Sequence, residues 1–238
     1  MVGILTDVGI KRSLNEDFAS YIEKDDYSIY VVADGMGGHN AGEVASKMAS
    51  VGIVEYIYNH INCEEKDQIL RNAVKAVNIN IFNHSRENDK LNGMGTTITA
   101  CMTFGDKIQI ANVGDSSCFG IKENCIIKIT KDHSLVQELV DSGSISENQA
   151  RKHPKKNIIT RAVGTSSDVK VDIFEMNKRD FDYYMLCTDG LTNEVNEDEI
   201  LNIIHNTNNL EDSCNELVKL AKERGGKDNI TVLLFGGK

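Results

Sequence analysis

Between residues 41 and 86 the apolar side chains of this 238-residue chain recur at gaps of three and four; beyond residue 97 they alternate instead. Val44, Met48, Val51, Val54 and Tyr58 predict an amphipathic helix over about 41–61, and Leu70, Val74, Val77 and Ile81 predict a second over about 66–86. Both follow the helical period of 3.6 residues. Then Ile98, Ala100, Met102 and Phe104 alternate with smaller or polar residues, Gly105-Asp106 marks a turn, and Ile108 and Ile110 resume the alternation. That period of two is the signature of strands.

Further strands are predicted at 29–33, 118–121, 126–129, 169–174, 183–187 and 230–235. Strand 29–33 leads into Asp34-Gly35-Met36-Gly37-Gly38, read as a turn. Two late helices carry terminal signals. Asn196 with Glu199 fits a capping box. Leu210, Cys214, Leu217 and Ala221 share one face of the last helix, which Gly225 ends. A pair of helices, a run of strands, then helices again is not the alternation of a doubly wound sheet. It reads as an α+β fold with mostly antiparallel sheet.

No internal repeat, low-complexity stretch or linker divides the chain, so one domain over 1–238 is expected. Lysine plus arginine totals 26 and aspartate plus glutamate 36, a net charge of −10. This disfavours a nucleic-acid binder, whose affinity comes from neutralising phosphates, and an anionic membrane surface. A phosphate group is still accessible to such a chain where metal ions supply local positive charge. The six cysteines form no CxxC pair and read as free thiols, buried in a reducing cytosol. No apolar run is long enough for a membrane span, and residues 1–7 lack a basic region followed by an apolar one. A soluble, cytoplasmic protein is expected.

Within 134–158 a short helix is predicted at 134–143 and an N-cap at Ser146. Arg151-Lys152-His153-Pro154-Lys155-Lys156 follows, the most positive stretch of the chain and the site of its one proline.

Four aspartates stand beside glycine or asparagine at the ends of apolar segments: Asp34-Gly35, Gly114-Asp115, Asp189-Gly190 and Asp228-Asn229. Several carboxylates gathered on strand ends suit hard cations such as Mg²⁺ or Mn²⁺, which prefer oxygen ligands. Near the N-terminus, Arg12 and the pair Glu16-Asp17 add a planar donor fork and two further carboxylates.

In this order the motifs resemble those of the PP2C (PPM) family of metal-dependent Ser/Thr protein phosphatases, in its compact bacterial form. They are Arg12 to Asp17, Val32-Ala33-Asp34-Gly35-Met36-Gly37-Gly38-His39, Gly93-Met94-Gly95-Thr96-Thr97, Asn112-Val113-Gly114-Asp115-Ser116, Asp132-His133-Ser134, Thr160-Arg161-Ala162-Val163-Gly164, Cys187-Thr188-Asp189-Gly190-Leu191 and Gly226-Lys227-Asp228-Asn229-Ile230-Thr231. The resemblance runs from Thr6 to Leu233. It implies an α-β-β-α sandwich of two antiparallel sheets flanked by helix pairs, with a variable flap at about 134–165.

The resemblance also implies the site. Two Mn²⁺ or Mg²⁺ ions would be bridged by Asp34 and held by the Gly35 carbonyl, Asp189 and Asp228. Glu16 and Asp17 would act from the outer shell, and Asp115 with Asp189 would take a third, weaker ion. Arg12 would bind the substrate phosphate. A metal-bridging hydroxide would attack phosphorus in line, with no phospho-enzyme. Some relatives carry a proton-donating histidine where this chain has Met36, and methionine cannot donate a proton. The leaving group's proton would then come from His39 or from metal-bound water; His133 reads as structural, and Gly190 and Asn229 as supports. The implied partners are phosphorylated proteins, a bacterial Ser/Thr kinase and its substrates, with the enzyme a monomer. A sigma-factor partner-switching phosphatase, an inactive phosphoprotein-binding relative and a small-molecule phosphatase are the alternatives.

Overall fold

The computed structural model describes residues 2–37, 41–87 and 89–237. The chain opens with β1 (Val2–Asp7), β2 (Asp17–Glu23) and β3 (Tyr27–Met36). Two long helices follow, α1 (Ala41–His60) and α2 (Lys66–Glu87). Next come β4 (Gly95–Thr96), β5 (Ile98–Phe104), β6 (Lys107–Val113), β7 (Ser117–Lys122) and β8 (Cys125–Lys128). Short helices α3 (Leu135–Asp141) and α4 (Glu147–Arg151) precede β9 (Asp172–Asn177) and β10 (Tyr183–Cys187). The chain closes with α5 (Asp189–Thr192), α6 (Glu197–Asn206), α7 (Leu210–Glu223) and β11 (Ile230–Gly236).

One sheet has the order β1-β11-β10-β7-β8; the other has β2-β3-β5-β6-β9, with β4 added on β3. All pairings are antiparallel. Alternation along the strands builds three apolar layers. On β3, Ile29, Val31 and Ala33 face α1 and α2, whereas Tyr30 and Val32 face the opposite sheet. On β11, Val232 and Leu234 pack toward α7, whereas Leu233 and Phe235 enter the layer between the sheets. Tyr30, Phe235 and Tyr184 stack there, with Tyr30 and Phe235 centroids 3.7 Å apart. The expected four-layer sandwich is therefore the observed one.

Several expectations are corrected. The predicted row on α1 is the margin of its buried face, not the centre: Val44, Met48 and Val54 are partly buried against the core, and Tyr58 is 56% exposed. Ala41, Ala45, Ala49, Ile53 and Ile57 are buried instead, with Gly42, Ser46 and Ser50. Small residues in the first turns let α1 approach β3 closely, where a methyl group on Gly35 would lie 2.1 Å from the Gly42 carbonyl oxygen, and Ile53 and Ile57 fill the buried face further along. The strand expected at 169–174 forms at 172–177. The turn expected at 34–38 does not begin at Asp34, because β3 continues through Asp34, Gly35 and Met36 and pairs there with β4; Gly38 lies outside the described residues. Strands β1, β2 and β4 carry no clear alternation, so periodicity does not predict them. Both cap readings hold: Asn196 and Glu199 form a reciprocal capping box, and so do Ser146 and Gln149. All six cysteines are free, but Cys63 and Cys125 are exposed, not buried.

Candidate active site

The carboxylates named from the sequence come together at one end of the sandwich, from both sheets. Asp17 opens β2 directly across from Asp34 on β3. Like charges facing each other across an antiparallel pair destabilise it, so this register asks for a compensating cation. Asp115 follows β6 after Gly114, whose φ of 108° is one that only glycine adopts readily. Asp189 is the first residue of α5, with Thr188 as its N-cap, so it begins a helix and is not part of a turn. Asp228 precedes β11 instead of following a strand. A methyl group on Gly190 would lie 2.0 Å from the Asn229 carbonyl oxygen, so glycine is what lets the α5 and β11 segments approach.

Hydroxyls hold these carboxylates in place. The Thr188 and Thr231 hydroxyls both donate to Asp17 Oδ2, at 2.9 and 2.8 Å. Asp17 Oδ1 is buried with no hydrogen-bond partner among the described residues. The Asp34 backbone N–H donates to Thr97 Oγ1 and its carbonyl accepts from Thr96 Oγ1. Thr97 in turn meets Ser116 Oγ at 2.7 Å. Asn229 ties three segments: its amide donates to the Val8 and Leu14 carbonyls, and its Oδ1 accepts from the Glu16 N–H. Glu16 accepts from the Gly42 N–H at the start of α1.

The electrostatics of the cluster follow from crowding. Burial, then repulsion from Asp189 and Asp228, pushes Asp17 up to about 7, even though two hydroxyls pull the other way. Burial, then Asp189 and Asp132, pushes Asp115 up to about 8. Asp189 rises to about 6 through burial and Asp228. Asp34, surrounded by Asp17, Asp189, Asp115 and Asp228, lies well above the usual carboxylate range because of burial first and these charges second. Arg12 Nη2 donates to Asp228 Oδ2 at 3.0 Å.

Among the described residues no three of these side chains meet as a closed ligand set. The donor set nevertheless fits divalent cations. It is all oxygen, it carries more negative charge than one guanidinium balances, and it leaves a buried carboxylate oxygen unpaired among the described residues.

Residues 10–234 match the family described as protein phosphatase 2C. This chain belongs to the protein phosphatase 2C family. Among its relatives, the serine/threonine phosphatase stp of Listeria welshimeri is 42% identical over 96% of this chain and 92% of its own length. The protein phosphatase PhpP of Streptococcus pneumoniae is 34% identical over 98% of this chain and 96% of its own. The crystal structure of serine/threonine phosphatase Stp1 from Staphylococcus aureus superposes with a TM-score of 0.92, at 37% identity, covering 99% of this chain and 94% of that one. As a 2C-family protein phosphatase the chain is an enzyme, and its two antiparallel sheets with flanking helices are the family's architecture.

The structure thus gathers Arg12, Glu16, Asp17, Asp34, Asp115, Asp189 and Asp228, with Gly35 beside Asp34 on β3. His39 lies outside the described residues. His133 is built into the scaffold: the Gly114 N–H donates to its Nδ1 at 2.9 Å, and its Nε2 lies 3.0 Å from Asp172 Oδ2. With Nδ1 accepting, the ring proton sits on Nε2 and points at Asp172. Arg161 bonds the other oxygen of Asp172. Sequence reasoning missed the hydroxyl pair on Asp17 and the link from Lys156 Nζ through Asn193 to Asp189, at 2.6 and 3.0 Å. The flap region carries α3 and α4 and walls a cavity of about 520 Å³, which Asp115 and Asp189 also line.

Among the described residues no helix is long and apolar enough to cross a membrane.

Proposed function

We propose that this chain hydrolyses phosphoserine and phosphothreonine esters in proteins with divalent metal ions. The observation that carries the reading is the facing pair Asp17 and Asp34, joined by Asp189 and Asp228, with Arg12 beside them. Asp34, the Gly35 carbonyl, Asp189 and Asp228 would hold Mn²⁺ or Mg²⁺, with Glu16, Asp17 and Asp115 as further carboxylates around them. Such ions, when bound, acidify water for attack and neutralise the phosphate dianion.

The chain's own residues do the rest. Arg12 is half-exposed and its contact to Asp228 is a surface ion pair of little strength, so it is free to turn to the phosphate oxygens. There its fork supports charge that builds on the transferred group. Thr188 and Thr231 orient Asp17; Thr96 and Thr97 fix the backbone that presents Asp34. Met36 supplies no proton, so the leaving alkoxide takes one from His39 or from solvent. Cys187 precedes this cluster in the chain, but it is fully buried and burial pushes its thiol far up, so it offers no thiolate nucleophile. Direct transfer to water, with no phospho-enzyme, is the route the family resemblance implies for this site.

A bacterial Ser/Thr kinase and its targets are the partners this activity fits, in keeping with the bacterial phosphatases among the relatives. The test is phosphate release from a phosphothreonine peptide by Asp34→Asn in the presence of Mn²⁺. The reading requires loss of activity by at least ~10³-fold, the scale expected when a group central to charge stabilisation is removed. Near-normal activity would overturn it.

A further inference from the structure

In a chain of net charge −10, the run from Arg151 to Lys156 holds four cations and no carboxylate. It leaves the end of α4 in a compact turn: the Lys156 N–H donates to the His153 carbonyl, and the Lys155 N–H donates to His153 Nδ1. Arg151, Lys152 and Lys155 are exposed. Lys128, which lines the same cavity as Arg151, is neutralised by Asp132, and elsewhere in the chain Lys131 pairs with Asp141 and Arg161 with Asp172. Among the described residues Arg151, Lys152 and Lys155 have no carboxylate within 4.0 Å. Lys156 differs, because it donates to Asn193.

Place gives this charge its meaning. Arg151 lines the cavity that reaches Asp115 and Asp189. On the core side the lining carries Asp115, Asp132, Asp189, Glu194 and Glu197 against Lys128 and Arg224, whereas on the flap side it carries Arg151 and Lys156 against Glu147. The core side is therefore net acidic and the flap side net basic, so an acidic side chain is disfavoured near the carboxylate cluster and favoured against the flap.

We infer that the turn 151–155 is a docking surface for an acidic stretch flanking the phosphorylated residue of the protein substrate. This deepens the proposed function and rests on it. Arg151, Lys152 and Lys155 read Asp or Glu side chains on the substrate, while the phosphoryl group passes to the carboxylate cluster. Complementary rim charges act mainly on encounter rate and salt dependence, with effects on the order of tenfold or more.

The test compares kcat/KM for two phosphothreonine peptides, one flanked by glutamates and one by lysines, on the same enzyme preparation. The ratio is internally normalised, so any loss common to both peptides cancels. Wild type should favour the acidic peptide by about tenfold at low salt, and high salt should shrink that preference as the Debye length contracts. Arg151→Glu/Lys152→Glu/Lys155→Glu should reverse the preference, and the triple alanine variant should abolish it without reversal. Equal preference in wild type and both variants would overturn the inference while leaving the enzymatic reading intact. Wild-type inactivity toward both peptides and toward p-nitrophenyl phosphate would overturn both.

Discussion

At the scale of single residues, the site is a stability cost concentrated in a few carboxylates. Asp17 is buried, faces Asp34 across the β2–β3 pair and has one oxygen without a partner among the described residues. Asp17→Asn keeps an oxygen that accepts from Thr188 and Thr231 and removes one like charge. In EDTA this variant should melt higher, by ~2–4 °C for each kcal/mol recovered in a chain of this size, and it should lose activity with Mn²⁺. A lower melting temperature would show that the Asp17 charge is satisfied within the protein itself. The identities of Asp34, Asp115, Asp189 and Asp228 were legible because each sits beside a glycine or asparagine at a segment end. The hydroxyl supports were not. A threonine that bonds a distant carboxylate looks in sequence like any strand threonine.

At the scale of elements, periodicity read best where one face is buried and the other wet. Helices α2 and α7 meet that condition, and their buried rows are the predicted ones. α1 misled because the first turns of its buried face are alanine, glycine and serine, which hydrophobic spacing overlooks, with Ile53 and Ile57 following them. The turn assigned after Ala33 misled for another reason: Gly35 and Met36 stay extended because β4 supplies a partner far along the chain. His133 shows how elements are tied around the site. It accepts from Gly114 and faces Asp172, joining the β6–β7 loop, the start of the flap and β9. His133→Ala leaves a buried N–H unpaired, so a loss of roughly 2–3 kcal/mol is expected in urea unfolding. A change within error would mean that solvent replaces the imidazole there.

At the scale of the whole molecule, the acidic charge and the buried carboxylates set the pH response. Asp17, Asp115 and Asp189 titrate near 3.8 when unfolded and at about 7, 8 and 6 when folded. The folded state binds more protons in that window, so stability falls as pH rises through it. His133 opposes this only below its ordinary 6.5, because burial lowers its folded pKa and the unfolded chain takes up the proton there. The melting temperature in EDTA should therefore decline from pH 6.5 to 8, and saturating Mn²⁺ should flatten the decline. A rise over that range in EDTA would contradict the crowded-carboxylate account. The layering itself was legible only through family resemblance. Central strands such as β3 and β11 bury both faces, so their sequences read as continuous apolar runs and do not reveal which residues face the other sheet.

The central claim is metal-dependent hydrolysis of a protein phosphoester at this carboxylate cluster. The most direct measurement is inorganic phosphate release from a phosphothreonine peptide with Mn²⁺, with Mg²⁺ and with EDTA, alongside Asp189→Asn. The account predicts turnover with either metal, none in EDTA, and none in the variant under any of these conditions. Undiminished release in EDTA, or by Asp189→Asn, would contradict it.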